Sequence, residues 1–142
     1  MKKIITALAI TALFMACTNL AITALFMACT NLSKGYEVKK QVGEYEVVAQ
    51  IDRNPPIAGD NNLSIKIKDA SGKYVTDANV MVNYVMPAMP GMPAMNYIAE
   101  TTLSGEEYKT KMTLSMSGSW NIEIKITRQG KVETMKFTVD AK

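Results

Sequence analysis

The sequence predicts a two-sheet antiparallel β-sandwich of about seven strands, preceded by a signal segment. Three observations predict it. Apolar and polar residues alternate with period two from about residue 36 onward, the pattern of strands with one buried and one wet face. Turn signals break that alternation at short intervals, as in sandwiches. A charge-free apolar stretch stands ahead of it, between Lys3 and Lys34. The chain has 142 residues, 48% apolar and 20% charged, which suits one domain with a short appendage.

The appendage comes first. Lys2 and Lys3 form a positive n-region, and the apolar run that follows ends in Leu13-Phe14-Met15-Ala16-Cys17. A basic start, an apolar centre and a small residue before the cut describe a secretory signal. The run resembles a bacterial lipobox, in which the signal is cut before a lipidated cysteine. AITALFMACTNL at residues 9–20 recurs unchanged at residues 21–32, too short a period for a solenoid unit. The duplication presents the lipobox twice, at Cys17 and at Cys29. A cut before Cys17 leaves an h-region of about 13 residues, whereas one before Cys29 needs an h-region interrupted by Thr18 and Asn19. Residues 1–32 are therefore expected to be a lipoprotein signal and residues 33–142 the folded domain. An uncleaved membrane helix and plain secretion are the alternatives. All three place the domain in the cell envelope or outside, facing the periplasm or the exterior. Both cysteines lie in the duplicated segment, so the domain has no disulfide.

Strands are expected near residues 36–42, 44–52, 62–69, 78–86, 97–103, 107–115 and 119–139, the last a hairpin if Gly130 turns it. Leu63, Ile65 and Ile67 alternate with Ser64, Lys66 and Lys68. Trp120, Ile122, Ile124 and Ile126 alternate with Asn121, Glu123, Lys125 and Thr127. Tyr108, Met112 and Leu114 share one parity, as do Met135, Phe137 and Val139. Asn54-Pro55-Pro56, Asp69-Ala70-Ser71-Gly72, Ser104-Gly105 and Gln129-Gly130 supply the turns. A domain of about 110 residues buries such a core without staples.

A string of residues then resembles a known family. Asn54-Pro55-Pro56-Ile57-Ala58-Gly59, Asn62-Leu63-Ser64-Ile65-Lys66-Ile67-Lys68-Asp69, Gly72, Ala78-Asn79-Val80 and Met86-Pro87 occur in order, followed by Gly105, Tyr108 and Gly118-Ser119-Trp120. Together, over roughly residues 36–140, they resemble the YtkA-like or FixH-like domain. The resemblance implies an immunoglobulin-like β-sandwich outside the cytoplasmic membrane, carried by a small lipoprotein or membrane-anchored protein. It also implies modules near heavy-metal efflux or terminal-oxidase assembly systems, and no enzyme activity. The lipobox favours the YtkA-like side.

Functional chemistry is concentrated in methionine. There are 11, and residues 86–95 read MPAMPGMPAM. Proline fixes φ and pushes the preceding residue to extended geometry, so polyproline II is the expected local form. With three residues per turn, Met86, Met89, Met92 and Met95 would then project from one edge. Convergence of their sulfurs needs a bend, which Gly91 permits, or a ligand from another strand. Met81 has the parity opposite to Val80 and Val82 and is a fifth candidate. Thioethers select Cu(I) and carry no proton. The competing readings are a partner-docking surface and a merely structural turn, because methionine also fills gaps and builds adaptable interfaces. Met112 and Met135 have core parity, Met116 lies at a strand end, and Trp120 reads as core although its ring could also cover a cation.

Other chemistry is excluded or weak. The chain has no histidine, which removes Ser-His-Asp and Cys-His catalysis and most zinc hydrolase sites. The formal charge is +3, and setting aside Lys2 and Lys3 leaves 14 basic against 13 acidic residues, too balanced for nucleic-acid binding. Glu106-Glu107 and Lys39-Lys40 read as solvated charges. Asp52, Asp60 and Asp69 flank turns, and their spacing matches no EF-hand loop. The leading expectation is a non-catalytic lipoprotein that binds or passes Cu(I), serving metal tolerance or oxidase assembly. It would be membrane-held through its N-terminal lipid and would work with an envelope protein partner. The alternative is a sandwich adaptor that docks on an envelope complex through the Met-Pro edge without metal.

Overall fold

The computed structural model describes residues 35–142. The expected signal over residues 1–32, with Cys17 and Cys29, lies outside the described residues. Every regular element among them is a strand: β1 (Tyr36–Val42), β2 (Tyr45–Ile51), β3 (Gly59–Lys68), β4 (Asn79–Met86), β5 (Met95–Glu100), β6 (Thr102–Ser104), β7 (Glu107–Leu114), β8 (Gly118–Arg128) and β9 (Lys131–Ala141). They form a five-stranded sheet in the order β1-β2-β3-β7-β6 and a four-stranded sheet in the order β5-β4-β8-β9. All pairings are antiparallel.

The alternating sequences produce the expected core. Leu63, Ile65, Val82, Trp120, Ile122 and Ile124 are buried in one cluster with Met112, Met135 and Tyr108. Each belongs to the inward parity of its strand, so the two inner faces interdigitate as in other sandwiches. The fold is thus the all-β immunoglobulin-like sandwich, with nine strands where about seven were expected.

Two features account for the difference, the hairpin that a turn at Gly130 was expected to allow and one correction. Residues 119–139 are the hairpin β8–β9, turned at Gln129-Gly130. The strand expected over 97–103 is two strands in two sheets. The chain leaves β4 at Thr101, whose Oγ1 donates to the Val80 carbonyl at 2.8 Å, and then pairs with β7 as β6. Thr110 Oγ1 of β7 donates to the Glu100 carbonyl at 2.8 Å and holds the crossing. Alternation continues through such a crossing because it records burial and not which sheet does the burying. The crossing puts β5 and β6 on one lateral side of the sandwich, with β1 and β9 on the other.

Candidate functional site

The methionine run closes the β4–β5 hairpin. Met86 and Met95 are Cα partners at the end of the ladder. Three residues further out, Met89 and Met92 form an isolated bridge with reciprocal backbone bonds of 3.1 and 2.9 Å. Pro90 and Gly91 make the corner, and Gly91 has φ 81°. Proline followed by a positive-φ glycine is the signature of a type II turn. The expected polyproline II edge is therefore not what forms. Proline's φ near −65° fits a hairpin arm as well as a polyproline helix, and pairing with the other arm decides between them. Pro87-Ala88 and Pro93-Ala94 lie between the two pairs, outside the ladder.

The four methionines consequently make two cross-strand pairs and not one row. The base pair is part of the protein interior. Met86 is only 2% exposed, and its Cε lies so close to Gly118 that a Cβ there would stand 2.9 Å away. Met95 is partly buried against the core, and its Sδ accepts from Ser115 Oγ at 3.1 Å. Met116, on the same β7–β8 turn, also packs on the core, and its carbonyl accepts from Trp120 Nε1 at 3.1 Å. Tyr84 and Tyr97 stack at 5.4 Å, and each lies 6.1 Å from the Trp120 ring. An aromatic cluster thus backs the base of the hairpin.

The tip pair is different. Met89 is 44% exposed and Met92 is intermediate. Residues that exchange both backbone bonds have Cα atoms about 5.5 Å apart, within reach of one ion for two flexible thioethers. No charged residue occurs from Ala78 to Ala99, so the hairpin itself carries no charge. Among the described residues no group of His, Cys, Asp and Glu is arranged to hold a metal. Met81 does not join the run. It sits opposite Glu100 at the other end of the ladder, five residues before Met86, or roughly 17 Å along a strand. There it lines a separate concavity with Glu100, Thr101 and Leu103.

The perturbed ionisable groups belong to residues outside the hairpin. Lys66, bonded to Glu107 at 2.9 Å, holds that carboxyl below its ordinary value against the opposing effect of burial. Burial pushes the Tyr108 phenol up; its hydroxyl donates to the Val75 carbonyl at 3.0 Å and accepts from Ala78 N at 3.1 Å. A groove of about 730 Å³ crosses β1, β4, β8 and β9 and includes none of the run's methionines. Sequence reasoning missed the contribution of Ser115 and Gly118. Their signal was position, a Ser-Met-Ser-Gly turn that ends two residues before Trp120, and for Gly118 also its place in the family-like string.

A family model described as YtkA-like matches residues 39–125. No curated protein matches the chain. Among solved structures, the crystal structure of as-isolated FetP from uropathogenic E. coli strain F11, recombinantly expressed in the periplasm of E. coli BL21(DE3), is similar. Its TM-score is 0.53 at 11% identity, covering 76% of this chain and 96% of that one. At that identity the likeness is one of fold.

Proposed function

The chain belongs to the YtkA-like family, and from that membership we propose a non-catalytic envelope lipoprotein that binds and passes Cu(I) in metal tolerance or oxidase assembly. The observation that carries the reading is the Met89–Met92 bridge at the hairpin tip. Two thioethers are held side by side by backbone bonds, Met89 exposed and Met92 partly so, on a hairpin without charge. Soft thioethers favour Cu(I) over Cu(II) and Zn(II), and the domain has no imidazole or thiolate to offer the latter. Two sulfurs leave a coordination position for a donor from another protein, which suits handover more than storage. The lipobox cysteines, Cys17 or Cys29, would tether the domain beside an envelope partner. FetP, similar in fold, was recombinantly expressed in the periplasm.

The test is Cu(I) binding under reducing conditions, measured by competition with a chromophoric chelator. The wild type should bind Cu(I) and bind Zn(II) far more weakly. Met89→Leu with Met92→Leu keeps apolar volume while removing both sulfurs, and should lose Cu(I) with an unchanged melting temperature. Affinity should be nearly flat between about pH 7 and about pH 5, because thioethers release no proton on binding. A double variant with wild-type affinity refutes the site. The adaptor reading is favoured by one observation, the exposure of Met89 together with Tyr97 and Ile98 on the same hairpin. It takes the lead if the wild type binds no Cu(I).

A further inference from the structure

An open sheet edge offers unpaired N–H and C=O groups to any passing strand, and natural proteins protect such edges with lysines, prolines, bulges or shortness. This sandwich has four edges, β1, β6, β5 and β9. On one lateral side β1 carries Lys39 and Lys40, and it is tied to β9. Tyr36 Oη donates to the Thr138 carbonyl at 3.2 Å, Lys40 Nζ donates to the Lys136 carbonyl at 2.6 Å, and the Tyr36 ring stacks on Phe137. On the other side β6 has only three residues. Strand β5, reading MNYIAE, has no lysine, no proline and no break in register, and its one charge is the terminal Glu100.

Exposure singles out the same side. The described residues leave five large apolar side chains exposed, and four of them are Met89 at 44%, Tyr97 at 38%, Ile98 at 64% and Leu103 at 42%. All four lie between the hairpin tip and β6. Only Val132 lies elsewhere, on β9.

The backbone of β5 selects a register. Pro87 has no N–H, so the last bridge of the ladder, Met86–Met95, is of the type in which the two residues exchange both bonds. Alternation then turns Tyr97 and Ala99 toward β4, and Asn96, Ile98 and Glu100 outward. The Glu100 carbonyl is engaged by Thr110 Oγ1 from β7, which agrees with an outward direction. Asn96 and Ile98 remain as the free donors and acceptors of the edge.

We propose that this edge pairs with β5 of a second copy of the chain, antiparallel about a two-fold axis at Tyr97. A two-fold axis normal to the sheet keeps inner faces inward, so the same four-stranded sheet continues through both copies. In that register Asn96 of each copy exchanges bonds with Ile98 of the other, using the two residues whose groups are free. Tyr97 meets its own counterpart in a non-hydrogen-bonded pair, with Cα atoms about 4.5 Å apart, and extends the Tyr84–Tyr97 stack as a cross-strand aromatic pair. Glu100 falls opposite Ala94, so no like charges meet. The second copy is the occupant that an uncharged, self-complementary edge accommodates without any compensating charge.

The test uses the full chain in detergent, its mass read by light scattering at rising concentration. The wild type should reach twice the monomer mass. Ile98→Lys, at an exposed position where the fold tolerates it, should stay monomeric with an unchanged β-sheet circular dichroism spectrum. Val132→Lys on β9 should dimerise like the wild type. With Cys17 and Cys29 replaced by serine, Tyr97→Cys should form an intermolecular disulfide under mild oxidation, and Ile98→Cys should not, because only position 97 meets itself within disulfide reach. A wild type that stays monomeric overturns the proposal, including the case where it captures a strand of a different protein. So does an Ile98→Lys variant that still dimerises, or cross-linking at 98 in preference to 97.

Discussion

The base and the tip of the β4–β5 hairpin carry the same residue in the same repeat, and the fold uses them in opposite ways. At the base, Met86 lies under Gly118 and Met95 takes a hydrogen bond from Ser115, Met86 within the hydrophobic core and Met95 packed against it. At the tip, Met89 and Met92 face each other across a two-residue corner, with Met89 exposed. A thioether is apolar enough to pack and soft enough to bind metal. What separates the roles is whether the β7–β8 turn, the start of β8 and the core reach it. The repeat's three-residue period is thus shared between a pair packed on the core and a pair at the hairpin tip.

The largest effect that could break this comparison is on stability. Met86→Ala should cost about 2–5 kcal/mol, as for other buried large-to-small changes, while Met89→Ala should stay within about 0.5 kcal/mol. Urea melts of the two variants measure the difference. Equal losses would mean that the tip is as structural as the base.

Next in size is Gly118→Ala. The new Cβ would stand 2.9 Å from Met86 Cε, at a φ of 130° that side chains rarely adopt. The expected loss is about 1–3 kcal/mol. Combined with Met86→Ala, the losses should be less than additive, since the clashing methyl group is gone. Full additivity would show that Gly118 serves the backbone alone and not the methionine.

The smallest expected effect sharpens the contrast through pH. Neither pair has a charged neighbour within the hairpin, so acid should act elsewhere. The Glu107 carboxyl is held below its ordinary value of 4.5 by Lys66. Its contribution is present above that value and disappears as pH falls through the lower, folded-state value. The pair is substantially exposed, so this amounts to about 0.2–1 kcal/mol. Glu107→Gln should flatten the loss of stability below about pH 4.5 by that amount, whereas Met86→Ala should leave the slope as in the wild type. Thermal melts across acid pH would measure both slopes.

Alternation by itself was sufficient for the strands that bury one face. Leu63, Ile65, Trp120, Ile122 and Ile124 could be assigned to the interior before any fold was known, because period two is a property of the chain and burial follows from it. The ligand class open to the methionine run could be read for a similar reason. Four thioethers without a charge or a histidine among them restrict the ligand class whatever their geometry.

What the chain alone did not decide is which elements stand next to which. The crossing at Thr101 depends on β7 supplying Thr110, the packing of Met86 on a glycine 32 residues later, and the hairpin form of the repeat on two arms finding one register. Pro87, Pro90 and Pro93 are equally at home in an extended helix and a hairpin arm, so local backbone preference is neutral between them. Only long-range pairing separates them, and with it the buried methionines from the exposed ones. Residue types and their period therefore determined the fold class and restricted the ligands the run could take, while contacts distant in sequence decided which methionines are buried and which are exposed.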